Sequence, residues 1–160
     1  MAVYKLNIDE FDEIDYQLIA IHTSLEDYRL AFFINQNFPV LLAKSENNIP
    51  ITSKTGSAAL SRFSFEDEFS CATWDLIQNK SEFSSQESDT SADLFANSNV
   101  KISSKAYLLP EFKKVDYILK LQNFDEPAES ICEKMQKIQQ VTTSYTLDTT
   151  RIKSINNLIF

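Results

Sequence analysis

Ile14-Asp15-Tyr16 and Val115-Asp116-Tyr117 are nearly the same tripeptide, each at the head of an apolar, strand-like run. A helix-like segment and a second strand-like segment follow in both places. The interval from Ile14 to Val40 equals that from Val115 to Val141. Element order repeated at one spacing constrains the chain to two copies of one unit. Sequence identity between the copies beyond the tripeptide is negligible, so the pattern and not the spelling carries the expectation.

The first copy opens on Tyr16–His22, apolar on nearly both faces, as a central strand covered on both sides requires. Ser24 with Asp27 three residues later is an imperfect capping box for a helix over 25–37, whose stripe is Leu25, Tyr28, Ala31, Phe32 and Asn35, widened by Phe33 and Ile34. Pro39 stops that helix, and Val40–Ala43 can start a strand. In the second copy Val115–Gln122 reads as a strand. Pro127 suits a first helical position, and Ala128, Ile131, Cys132, Met135 and Ile138 form an amphipathic stripe. Val141–Leu147 alternates as a half-solvated strand. Between the copies, 60–66 and 69–78 read as a hairpin turning near Asp67-Glu68, with Phe63, Phe65, Trp74 and Leu76 as core candidates. Residues 81–99 are Ser-rich and acidic and read as a long mobile loop; 105–109 is a further strand before Pro110. Residues 2–8 alternate as a short strand, and the apolar tail to Phe160 is expected to dock on the core. The expected class is therefore α+β: two β-α-β units in a ferredoxin-like antiparallel sheet with an inserted β-hairpin. The 160 residues form a single domain, with 45–114 as the insertion (hairpin 60–78, loop 81–99).

The chain holds one glycine, Gly56, so phosphate-cradling loops, dinucleotide fingerprints and nucleophile elbows have no material to form from. No cofactor is expected. A formal charge of -8 disfavours sequence-independent binding to nucleic acid. Lys101, Lys105, Lys113, Lys114 and Lys120 make a loose basic cluster without an arginine fork, read as a solvated face. His22 is the one histidine and reads as a strand-end residue in a structural hydrogen bond, not a triad member. Cys71 and Cys132 lack metal-ligand spacing and read as two buried thiols in a reduced, cytoplasmic chain. The first eight residues have no basic region or long apolar run, so no signal peptide is expected, and no run reaches a membrane span.

Carboxylates are the remaining chemistry. Were the two units arranged as above, their first strands would be parallel neighbours, with Asp15 and Asp116 at one end of the sheet, roughly 5 Å apart by strand spacing. With Glu111 they would form an acidic pocket for a cation or an amine. The competing and favoured reading has each aspartate accepting backbone N–H bonds where a strand begins.

Leu109-Pro110-Glu111-Phe112-Lys113-Lys114-Val115-Asp116-Tyr117 resembles the signature of the IPExxxVDY family, small proteins of Bacteroidota. Pro110, Glu111, Val115, Asp116 and Tyr117 match, and Leu109 stands for the isoleucine. The resemblance implies a bacterial cytoplasmic protein and no particular activity. The candidate binding residues are Asp15, Pro110, Glu111, Asp116 and Tyr117; none is expected to be catalytic and none to hold a metal. The leading expectation is a non-enzymatic interaction or scaffold module whose partner is another protein or a second copy of the chain. Phe63, Phe65, Phe83, Phe95 and Phe112 are the aromatics available to it, the first two also being core candidates. The alternative is a small-ligand regulatory domain like the amino-acid-sensing ACT domains, and the third reading is a metal-dependent enzyme using Asp15, Glu111 and Asp116.

Overall fold

The computed structural model describes residues 15–54, 56–85 and 102–160. The expected strand over 2–8, residues 86–99 of the Ser-rich loop with Phe95, and Lys101 lie outside the described residues. In chain order the elements are β1 (Tyr16–Thr23), α1 (Asp27–Asn37), β2 (Ala43–Lys44), β3 (Ile49–Ser53), β4 (Gly56–Leu60), β5 (Arg62–Glu66) and β6 (Thr73–Gln78). There follow β7 (Lys80–Ser85), β8 (Ile102–Tyr107), β9 (Tyr117–Gln122), α2 (Ala128–Gln136) and β10 (Val141–Leu147).

A six-stranded sheet in the order β10-β1-β9-β6-β5-β2 forms the body, and β3–β4 and β7–β8 are separate two-stranded hairpins. Every pairing in the sheet is antiparallel. Both strands of the tripeptide echo do start at its tyrosine, Tyr16 for β1 and Tyr117 for β9. They nevertheless run in opposite directions, with Tyr16 opposite Gln122 and Ile21 opposite Tyr117. The two β-α-β units of a ferredoxin-like sheet are therefore not present.

The cause lies after α1. A second strand of the first unit would have to give its backbone to the sheet, but Leu42 gives its own to a helix side chain. The Leu42 N–H donates to Asn35 Oδ1 at 2.7 Å, and Asn35 Nδ2 donates back to the Leu42 carbonyl at 3.0 Å. What remains is the two-residue β2 at the far edge, paired with β5. The place beside β9 is taken by β6 instead. In the second half β9 and β10 do run in the same direction, with α2 between them in sequence and β1 between them in the sheet.

Both faces of the sheet are covered. Ile19, Ile21, Trp74, Leu76, Tyr117, Leu119 and Leu121 meet Leu30 and Ile34 of α1 and Ile131, Cys132 and Met135 of α2. Leu18, Ala20, Ile77 and Ile118 face the other way, against Ile49 and Leu60 of the β3–β4 hairpin, Leu108, Leu109 and Val115, and the tail residues Ile152 and Leu158. This explains why β1 and β9 are apolar on both sides, and the tail docks as its composition requires. Gly56 has φ +151°, and a Cβ there would meet the Phe83 ring at 2.7 Å, so hairpin β3–β4 can approach β7 because this position carries no side chain.

Candidate functional site

The signature segment is arranged around Asn79, the residue between β6 and β7, whose relative exposure is 0%. Asn79 Nδ2 donates to the Phe112 and Val115 carbonyls, both at 2.9 Å, and Oδ1 accepts from the Leu109 N–H at 3.0 Å. Its backbone N–H donates to the Asp116 carbonyl, and its carbonyl accepts from Leu108. One side chain thus fixes the entrance to β9. Pro110 opens a short 3₁₀ turn over Pro110–Phe112, where its missing N–H costs nothing. Val115 is buried in the second-face core.

Glu111 faces the tail. Its Oε1 accepts from the Lys153 and Ser154 N–H groups at 3.1 and 2.9 Å, and its Oε2 accepts from the Ser154 hydroxyl at 2.7 Å. Burial raises the Glu111 pKa, but the Ser154 hydroxyl and the backbone N–H groups together outweigh it, and the net shift is below the usual 4.5. A carboxylate whose pKa is depressed by folding stabilises fully above its unfolded value, and the contribution is lost as pH falls through the folded one. Hydrogen-exchange protection of the Lys153 and Ser154 amides should therefore fall on acidification below 4.5. In Glu111→Ala that protection should be weak at every pH.

Asp116 and Tyr117 turn toward the other end of the signature. Asp116 Oδ2 accepts the Thr23 N–H at 3.0 Å, and Oδ1 pairs with Lys80 Nζ at 2.7 Å. The Tyr117 hydroxyl donates to the Leu25 carbonyl at 2.8 Å, and burial, reinforced by Asp27, Asp116 and Glu26, raises its pKa. These residues line a polar cleft of about 430 Å³ between the end of β1, the start of β9 and the β7–β8 hairpin. Lys80, Ser81, Glu82 and Lys105 form the hairpin side, Thr23, Ser24 and Leu25 the β1 side. Lys105 Nζ lies 3.2 Å from Glu82 Oε1.

The five sequence candidates thus divide. Asp116 and Tyr117 share the cleft, Pro110 and Glu111 hold the tail, and Asp15 precedes β1 at the opposite end of the sheet. Extending the antiparallel register puts Asp116 opposite His22, seven strand steps from Asp15, about 23 Å. No single ion spans that, and the shared acidic pocket does not form. Asp116 instead accepts a backbone N–H, as the competing reading had it, though that group belongs to β1. Among the described residues no group of three His, Cys, Asp or Glu is placed to hold a metal ion.

Sequence reasoning missed Asn79 and Lys80. The available signal was weak: polar residues closing an apolar strand, and Lys80 and Glu82 placed two apart so that they share a strand face. His22 Nε2 lies 3.0 Å from the Tyr145 hydroxyl, with the rings stacked at 5.5 Å. Both thiols are free. Cys132 is buried, which pushes its pKa to about 11, whereas Cys71 is exposed at φ 56° in the turn between β5 and β6, against the expectation of two buried cysteines. The basic cluster disperses: Lys105 pairs with Glu82, and Lys120 is buried inside the sheet's second face. Among the described residues no helix is long and apolar enough to cross a membrane. Compared with family models, curated proteins and solved structures, the chain finds no match.

Proposed function

We propose that this chain is a non-enzymatic, cytoplasmic interaction module of the IPExxxVDY type that docks a protein partner on the outer face of α1. The observation that carries the reading is the pair Tyr28 and Phe32, 58% and 56% exposed and one helical turn apart. The helix buries Leu30, Ala31 and Ile34, so Tyr28 and Phe32, expected on its apolar stripe, stand on the outer face instead. Of the aromatics expected to serve an interface, Phe63 is buried, and Phe65 and Phe112 pack against the two cores. Fully covering a large apolar side chain is worth about 1.5–3 kcal/mol, so two aromatics on one stripe can anchor an interface. The signature supports the reading from a distance, since its residues bond within the fold and leave the helix face to the partner.

The test is affinity capture from the native cell with the wild-type chain and with Phe32→Glu. Phe32 is exposed, so thermal stability should stay within about 0.5 kcal/mol of wild type. A defined set of proteins recovered by the wild type and lost with Phe32→Glu is the expected result. Equal recovery by both chains, or a monomer that recovers nothing, overturns the reading.

A further inference from the structure

We infer that the cleft beside Asp116 binds a small zwitterion of the amino-acid class, with a polar or short side chain. Charges of alternating sign run along it. Asp116 from the sheet meets Lys80, and Glu82, two residues on and therefore on the same face of β7, meets Lys105. Glu82 and Lys105 are register partners across the hairpin, which fixes that order in the backbone. The two acids and two bases that line the cleft sum to zero, in a chain whose net charge is -8.

A simple anion drawn to either lysine meets a carboxylate within 3.2 Å of it, and a simple cation drawn to either acid meets an ammonium as close. A ligand carrying an ammonium and a carboxylate on neighbouring atoms satisfies both signs at once. The resident pairs yield readily. Both members of the Lys105–Glu82 pair are more than half exposed, and pairs of that kind contribute at most about 1 kcal/mol. The volume suits a small ligand, whose sites run from about 300 to 1,000 Å³. Among the described residues Leu25 is the sole large aliphatic side chain on the wall, so a long apolar ligand side chain would gain little there. Ser24 adds a hydroxyl partner for a polar one.

The test is an amide-resolved NMR titration with each of the common amino acids, with succinate and 1,4-diaminobutane as single-sign probes. The expected result is saturable shifts at Ser24, Lys80 and Ser81 with one or a few polar amino acids at millimolar concentration, and none with either single-sign probe. Glu82→Gln and Lys105→Met lie on the exposed face of the hairpin and leave the core intact. Each should weaken the responding amino acid about tenfold, the equivalent of about 1.4 kcal/mol. No response to any amino acid, an equal response to succinate or diaminobutane, or unchanged affinity in both variants overturns the assignment.

Discussion

Replacing Asn79 by alanine is expected to destabilise the fold by about 3 kcal/mol, a fall in Tm on the order of 10 °C for a chain of this size. The variant keeps the backbone bonds of residue 79 and loses the three made by its amide. The Phe112 carbonyl retains the Val115 N–H as a partner. The Leu109 N–H and the Val115 carbonyl are left inside the second-face core with none of their present side-chain partners. A buried orphan costs about 1–3 kcal/mol, and two of them dominate the small loss of packing. Denaturant unfolding measures the effect directly. Asn79→Asp should behave as badly, because a carboxylate cannot donate to two carbonyls. A loss under about 1 kcal/mol in both variants would show that Asn79 does not organise the entrance to β9.

Asp75→Ala should cost about 3 kcal/mol or more by leaving buried positive charge without its anion. Asp75 is 3% exposed and lies opposite Lys120 in the register between β6 and β9. Its Oδ1 accepts from Arg62 Nε at 2.8 Å. Lys120, 9% exposed, donates to the Leu158 carbonyl at 2.9 Å, with the Tyr16 and Phe160 rings 4.8 and 4.7 Å from its ammonium. Burial lowers the Lys120 pKa; the Asp75 carboxylate works against that shift, and Arg62 adds to it. Without Asp75 the two cations face each other across a sheet surface closed by the tail. Combining Asp75→Leu with Lys120→Met should recover part of the loss, since it removes the buried ammonium along with the carboxylate and leaves Arg62, whose side chain is 23% exposed, without its partner. Thermal unfolding of Asp75→Leu, Lys120→Met and the double variant closes the cycle. Full additivity would show that the two charges do not interact.

Local structure was legible where periodicity was strong. β1, β9, α2 and β10 stand where their apolar patterns put them, and both central strands begin at the echoed tyrosine. Strand direction was not legible, because β1 is set between β9 and β10 by long-range packing that no local pattern encodes. The first unit failed on one side chain, Asn35, whose competition for the Leu42 backbone is invisible in a hydropathy pattern. The β3–β4 hairpin was missed because Pro50 argues against a strand; it is tolerated in a hairpin that pairs with no third strand of the described residues. β7 was missed because Lys80–Ser85 has the composition of a loop. At the site, Asp116 and Tyr117 could be named from the signature. Their cleft could not, since its other wall comes from that unread hairpin.

The place of β1 also governs how the molecule can be made. Both of its neighbours in the sheet, β9 and β10, are encoded roughly a hundred residues later. At a synthesis rate of about 5–20 residues per second, that gap corresponds to about 5–20 s on the ribosome. Through that interval the strip Leu18–Ile21, fully enclosed in the finished protein, has neither ladder partner available. β1 is thus synthesised well before either strand that flanks it, and a nascent chain halted before Val141 would carry β1 with one edge bare.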